Sequence, residues 1–224
     1  MRPTQPEIPE SFLDDAGPRK GILAWVTSTD HKRVGILYLY SALTFFGMGV
    51  VLGFIMRLVQ LQWFHTWITP QWYNALFTVH GVLMIFLFVI PGLPPVFGNF
   101  MLPLLIGARD VAFPKLNLAS WYFFIAGALI VVVSLFTGGG PPDTGWTFYV
   151  PFSLKTGTNV TLAVFGAFIL GFSSMLTGIN FITTIHQMRA PGMGWFRMPV
   201  FPWALYATSW IQVLATPILA ITLV

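Results

Sequence analysis

The stretch NALFTVHGVLMIFLFVIPGLPPVFGNFMLPLLI, from Asn74 to Ile106, holds no Lys, Arg, Asp or Glu; charge returns only at Arg109 and Asp110. A bilayer needs roughly 20 apolar residues in a helix to cross it, so this run predicts a span with about ten residues to spare. It also carries one imidazole, His80, and a cluster of helix breakers: Pro91, Gly92, Pro94, Pro95 and Gly98. Proline removes a backbone donor, and in hydrocarbon the freed carbonyl must find a partner within protein or water. These residues therefore predict a broken inner end, followed by Asn99, beside a cavity rather than lipid.

Four further stretches have the same character, which makes the chain an all-α integral membrane protein with five transmembrane helices. The predicted spans are approximately Val34–Met56, Asn74–Ile106, Leu118–Phe136, Val160–Ile182 and Val200–Val224, preceded by a polar tail over residues 1–33. Of all residues 56% are hydrophobic and 8% charged, against about 25% charged in soluble domains. With the N-terminus in the cytoplasm, Arg2, Arg19, Lys20, Lys32, Arg33, Arg109, Lys115, Arg189 and Arg197 all fall inside, and Lys155 alone lies in an outer loop. Arg57 ends the first span. That asymmetry follows the positive-inside rule, so the net charge of +4 speaks of orientation and not of nucleic-acid binding. There is no cysteine, hence no disulfide or thiolate metal site. The tail is polar and has no apolar core, which excludes a cleavable signal. Gly21–Val26 is a short amphipathic stretch suited to the membrane surface.

The connections carry their own signals. Leu58–Tyr73 contains Trp63, Phe64, Trp67 and Trp72, an interfacial aromatic belt. Gly138–Thr158 opens on Gly-Gly-Gly-Pro-Pro, and Gln187–Pro202 carries Pro191, Gly192, Gly194 and Pro199; both break helix. The last span reaches Val224 without a polar tail, which leads us to expect part of a larger protein, either cut or split.

Ionisable groups inside a span read by default as functional, and neutral imidazole is the commonest metal ligand. His80 is thus a metal or haem ligand, or else a histidine bonded to a helix neighbour. Arg57 either snorkels to the outer interface or meets a buried acceptor. Asp110, with Asn99, Asn117 and Ser120 around it, suits a proton collector followed by neutral groups that order water. The bland alternative is a solvated loop acid. Ser173, Ser174 and Asn180 place more polar groups inside the fourth span, where helix–helix hydrogen bonding is the simpler role. His31, His65 and His186 lie in loops or at interfaces and look structural or incidental.

Several strings together resemble subunit I of the haem–copper oxygen reductases, the cytochrome c and quinol oxidases. They are Thr29-Asp30-His31-Lys32-Arg33-Val34-Gly35-Ile36-Leu37-Tyr38, then Tyr73–Phe86, Phe97–Asn117, Gly145–Ser153 and Ser173–Met193. The resemblance runs from Thr27 to Val224. It implies the opening part of a twelve-helix-type bundle, of the proton-pumping A-type rather than the related nitric oxide reductases. By the same resemblance, His80 is one axial ligand of a low-spin haem of the haem A type, and Arg57 contacts that haem's outer edge. Asp110 is the mouth of a proton pathway, and Asn99, Asn117, Tyr38, Ser120, Ser173, Ser174 and Asn180 hold its water. Leu118 stands where a second asparagine is common, and the Pro94-Pro95 pair is unusual.

The family's second haem, its copper ligands and the other axial histidine would lie beyond Val224, so no catalytic residue is expected within this stretch. The expected partners are the remainder of subunit I, oxidase subunits II and III, cytochrome c or quinol as electron donor, and lipid. The expected location is the bacterial cytoplasmic membrane, ahead of the mitochondrial inner membrane. A reading from another class is a non-catalytic membrane scaffold or transporter half-domain, in which His80 binds substrate or braces helices.

Overall fold

Three spans begin where a side-chain oxygen, of Asp30, Thr69 or Asn159, accepts a free N–H of the helix start, and Pro70 and Pro114 occupy first positions where no N–H is needed. The computed structural model describes residues 21–61, 64–137 and 139–223, and among these every regular element is helical. A short helix α1 (Ile22–Val26) leads to α2 (His31–Val59). Helix α3 (Pro70–Val82) continues through two π-helical segments, Leu83–Val89 and Gly92–Phe97, into α4 (Gly98–Ile106). Then come α5 (Pro114–Ser134), α6 (Phe152–Lys155), α7 (Val160–Gln187), a 3-10 turn (Trp195–Arg197) and α8 (Val200–Leu223). Five segments are long and apolar enough to cross a membrane: α2, the run Pro70–Ile106, α5, α7 and α8. Trp63 and Gly138, and the tail up to residue 20 with Arg2, Arg19 and Lys20, lie outside the described residues.

Helices α2, α3 and α5 start three or four residues earlier than hydropathy suggests, because capping decides the boundary, while α7 and α8 start at Val160 and Val200 as expected. The Asp30 carboxylate accepts from the Lys32 N–H at 2.9 Å and starts α2 at His31. Pro114 starts α5, ahead of the polar residues Lys115 and Asn117, since a proline at the first position loses no hydrogen bond. The Asn159 side chain accepts from Leu162 N–H and starts α7, which runs on to Gln187.

The broken inner end expected at Pro91–Gly98 is a correction: the backbone stays helical from Pro70 to Ile106. Instead of breaking, the helix widens. The Ile90 N–H reaches back five residues to the Ile85 carbonyl, the spacing of a π-turn. A wider turn gives each proline ring room past the preceding carbonyl, which a regular α-turn does not.

Small residues set how closely the spans approach, as expected where lipid gives no hydrophobic drive between helices. Helix α5 packs most extensively on α7, and α7 on α8. A Cβ on Gly127 of α5 would sit 2.9 Å from the Gly166 carbonyl of α7, and one on Gly166 would sit 3.0 Å from the Gly127 carbonyl. One apolar cluster joins Tyr38, Leu83, Leu87 and Phe124 between α2, the π segments and α5. A second joins Leu102, Ile106, Phe181 and Ile185 toward the other end of the bundle.

The inner ends are tied together by backbone. Helix α4 closes on Gly107 in the left-handed region, φ 75°, and the Ala190 N–H donates to the Ile106 carbonyl at 2.8 Å. Helix α1 docks through Arg33, whose Nη1 donates to the Ala24 carbonyl at 3.2 Å, and through the Tyr122 hydroxyl, which donates to the Val26 carbonyl. Its Ile22 and Leu23 point outward and are exposed.

Candidate functional site

His80 sits on α3, and its ring lies against α2 where Gly53 leaves room. A Cβ on Gly53 would come within 3.1 Å of the imidazole Cε1, and one on Gly49, a turn earlier, would meet Met84 Sδ at 2.7 Å. Nδ1 lies 2.8 Å from the Gly49 carbonyl. A carbonyl oxygen only accepts, so Nδ1 carries the proton and Nε2 of the neutral ring keeps its lone pair. Gly49 is the ring's only hydrogen-bond partner among the described residues. A second-sphere carbonyl that fixes the tautomer is the usual preparation of a metal-binding histidine.

Gly81 beside it does not stand open. The indole of Trp146 fills that space, since a Cβ on Gly81 would meet Trp146 Cδ1 at 2.8 Å. The outer loop is held there by the Gly145 N–H, which donates to Thr78 Oγ1 at 2.8 Å. Arg57 lies one turn beyond Gly53 on α2, exposed, with Nη1 donating to Gln60 Oε1 at 3.2 Å. Gln60 in turn donates to the Tyr73 hydroxyl at 2.7 Å. Gly49, Gly53 and Arg57 share one stripe of α2 by their four-residue spacing, so Arg57 extends the face on which His80 rests.

A second constellation fills the other half of the bundle. Asn99, Asn117, Ser120 and Tyr38 are wholly buried and Ser173 nearly so. Asn117 Nδ2 donates to Asn99 Oδ1 at 2.5 Å, and Asn99 Nδ2 to the Pro95 carbonyl at 2.6 Å. Ser120 donates to the Asn117 carbonyl at 2.7 Å. The Tyr38 hydroxyl donates to Ser120 Oγ at 2.9 Å and lies 3.0 Å from Ser173 Oγ. These five residues, from four helices, form one hydrogen-bonded chain. Asn117 Oδ1 is buried without a partner, an acceptor position that a water can take.

The remaining predicted residues serve elsewhere. Asn180 clamps the loop between α4 and α5, its Oδ1 accepting from the Phe113 N–H at 2.8 Å and its Nδ2 donating to the Phe113 carbonyl at 3.3 Å. Thr184 accepts from the Ala112 N–H at 2.9 Å and adds to that clamp. Ser174 faces α8, lining a cavity with Gln212 and Thr216.

Asp110 lies in the clamped loop, outside the spans, half-buried, with Oδ1 accepting from the Val111 N–H at 2.6 Å. Burial pushes its carboxyl above the ordinary value of 3.8. The Val111 N–H, His31 and Lys32 pull it down, and Asp30 adds to the rise. His31 is the residue that sequence reasoning missed. It is buried, and its Nδ1 donates to the Asn99 carbonyl at 2.6 Å. It therefore touches the first member of the chain and acts on Asp110 as well. Its place directly after the Asp30 cap is the signal that could have marked it. Thr177, also missed, lies four residues after Ser173 and donates to the Ser173 carbonyl at 3.0 Å.

Residues 33–224 match the family described as cytochrome c and quinol oxidase polypeptide I. The chain is 42% identical over 199 residues to "Cytochrome c oxidase subunit 1" of Thermostichus vulcanus, covering 88% of this chain and 36% of that protein. It is 39% identical over 209 residues to "Probable cytochrome c oxidase subunit 1-alpha" of Streptomyces avermitilis, covering 92% of this chain and 36% of that protein. The chain thus spans a little over a third of the length of the curated relatives it matches. A multi-pass membrane protein by its apolar helices, the chain belongs to the cytochrome c and quinol oxidase polypeptide I family.

Proposed function

We propose that this chain supplies the first five membrane helices of an oxidase subunit I that reduces dioxygen to water and moves protons outward. Its parts are an axial histidine for a low-spin haem and the inner mouth of a proton route. The observation that carries the reading is the His80 anchor: Nδ1–H is committed to the Gly49 carbonyl, and Nε2 is left to ligate. The residues fit the group, because Gly53 leaves the ring face without a Cβ and Arg57 lies one turn outward to meet an anionic haem substituent. A haem bound there, of the haem A type, would supply one-electron relay. The protein's task at this site is to fix the ring's tautomer and plane.

On the other side of the bundle, Asp110 would take protons from the cytoplasm, where the basic residues of the inner loops place that surface. A buried carboxyl with a raised pKa accepts a proton more readily near neutrality than an exposed one. His31 and the Asn99–Asn117 pair would then order water toward Ser120, Tyr38 and Ser173. Asn180 is a positioning residue here, since it holds the loop and not the water. The complex would lie in a bacterial cytoplasmic membrane, with the remainder of subunit I, subunits II and III, a copper centre and second haem outside this stretch, and cytochrome c or quinol as donor.

The test is made on the oxidase complex that contains this chain. Asp110→Asn is expected to cut turnover and pumping by an order of magnitude or more, as loss of a positioned proton carrier does. The reduced-minus-oxidised spectrum should stay intact. Unchanged pumping per electron would sink the proton-route half of the reading.

A further inference from the structure

Just past the end of α7, at the Asp110 end of the bundle, the loop carries a cation without a counter-charge. The Arg189 guanidinium lies over the Trp195 ring, its Cζ 3.8 Å from the ring centroid. Nη1 is shielded from solvent yet has no hydrogen-bond partner. Among the described residues no carboxylate pairs with it, and the sequence holds no acid after Asp143 in the outer loop. A charged donor left buried and unpaired is costly, which calls for an acceptor from outside the chain.

Trp195 is itself fixed in place. Its carbonyl accepts from the Met198 N–H at 3.2 Å and from Trp203 Nε1 at 3.1 Å. Its ring stands 5.1 Å from His186 and 5.3 Å from Tyr206. Trp and Tyr gather where membrane meets water, which puts Arg189 at headgroup depth. A guanidinium braced on an aromatic ring keeps its N–H edge for the paired oxygens of a phosphate or carboxylate.

The same turn bears apolar groups that the fold leaves uncovered. Phe196 is wholly exposed and Val200 is 84% exposed, and between them Arg197 is exposed as well. Apolar side chains beside cations suit the boundary between headgroups and acyl chains. A molecule that answers both the unpaired guanidinium and the bare apolar turn carries a phosphate and an acyl chain.

We propose that Arg189 and Trp195 form a binding site for the phosphate of an anionic phospholipid whose acyl chains pass along Phe196 and Val200. Two cations in a loop that has no acid from Gln187 to Pro202 select a lipid of net negative charge over a zwitterionic one. The neighbouring Ala190 N–H holds the Ile106 carbonyl at 2.8 Å. A lipid seated on Arg189 therefore steadies the end of α4 as well as its own loop.

The test uses the purified oxidase complex that contains this chain, titrated in detergent with phosphatidylglycerol, phosphatidylcholine or inorganic phosphate. Native mass spectrometry counts what is retained, and haem content checks assembly. Phosphatidylglycerol should be retained in preference to phosphatidylcholine. Arg189→Gln should weaken that retention roughly fivefold, the effect of one cation at a lipid surface, with the haem bands unchanged, and Phe196→Ser should weaken it too. Equal retention of the two lipids, or retention indifferent to Arg189→Gln, overturns the proposal. Phosphate adducts lost in Arg189→Gln while lipid retention holds would mark a free-anion site and overturn it equally. Should the variant fail to assemble, a density map of the unaltered complex in phosphatidylglycerol nanodiscs decides. A headgroup phosphate within hydrogen-bond reach of Arg189 Nη1 supports the site, and a protein carboxylate or an empty position there overturns it.

Discussion

The His80 face and the Tyr38 chain hold their polar groups in opposite ways. His80 has one partner, a backbone carbonyl 31 residues away in sequence, and is otherwise packed against glycines. The Tyr38 chain draws five side chains from four helices into mutual bonds, and all but one of its amide atoms are paired. The first arrangement leaves a lone pair for something added to the protein. The second completes itself and leaves only openings the size of a water. A face that leaves an imidazole lone pair open and a chain that pairs nearly all its own groups thus differ in how much of their bonding the protein keeps for itself.

The strongest way to break that contrast is His80→Leu. It should abolish the low-spin haem band in the reduced-minus-oxidised spectrum while Asp110-side proton uptake in any assembled complex persists. A retained band would mean His80 only braces α3 on α2. Next, Asn117→Leu leaves Asn99 Oδ1 buried without its donor. We expect a loss of about 1–2 kcal/mol in stability, read as a lower midpoint of thermal inactivation with haem bands unchanged. A neutral result would mean the chain is loosely held and already hydrated.

Smaller still, Gly53→Ala places a methyl 3.1 Å from the His80 Cε1. The ring must yield by a few tenths of an ångström, so the haem absorption maximum and midpoint potential should shift without loss of haem. The smallest effect concerns Asp110. Because its folded pKa is raised, the folded state holds the proton more tightly, and this carboxyl lowers stability as pH climbs from 3.8 through the folded value. Asp110→Asn should therefore match the unaltered protein at the acid end and be the more stable of the two above that window. Thermal midpoints measured across the range would check the sign, and a gap of constant size would refute the burial argument.

Parts of this site are legible without coordinates. His80 stands out because an imidazole within a charge-free run is rare, and Asn99, Asn117 and Asp110 stand out because polar groups at a span's inner end are few. Asn180 and Ser174 look like their neighbours on paper. Asn180 turned out to grip the Phe113 backbone and Ser174 to face α8, because one helix serves three different neighbours at once. His31 reads only as structural or incidental in the sequence, since its partner, the Asn99 carbonyl, is 68 residues away.

The five spans and the all-helical class follow from the sequence by itself, because exclusion of charge from hydrocarbon acts on each segment independently of the others. Whether Pro91–Gly98 breaks or widens the helix was decided only in the tertiary structure. There α2 packs along that segment, and the Ile90 N–H at its entry finds its partner five residues back. The same holds for His80's tautomer and for the route from Asn99 to Ser173. Both depend on which glycine or carbonyl another helix presents at a distance of a few ångströms, and that is a property of packing alone.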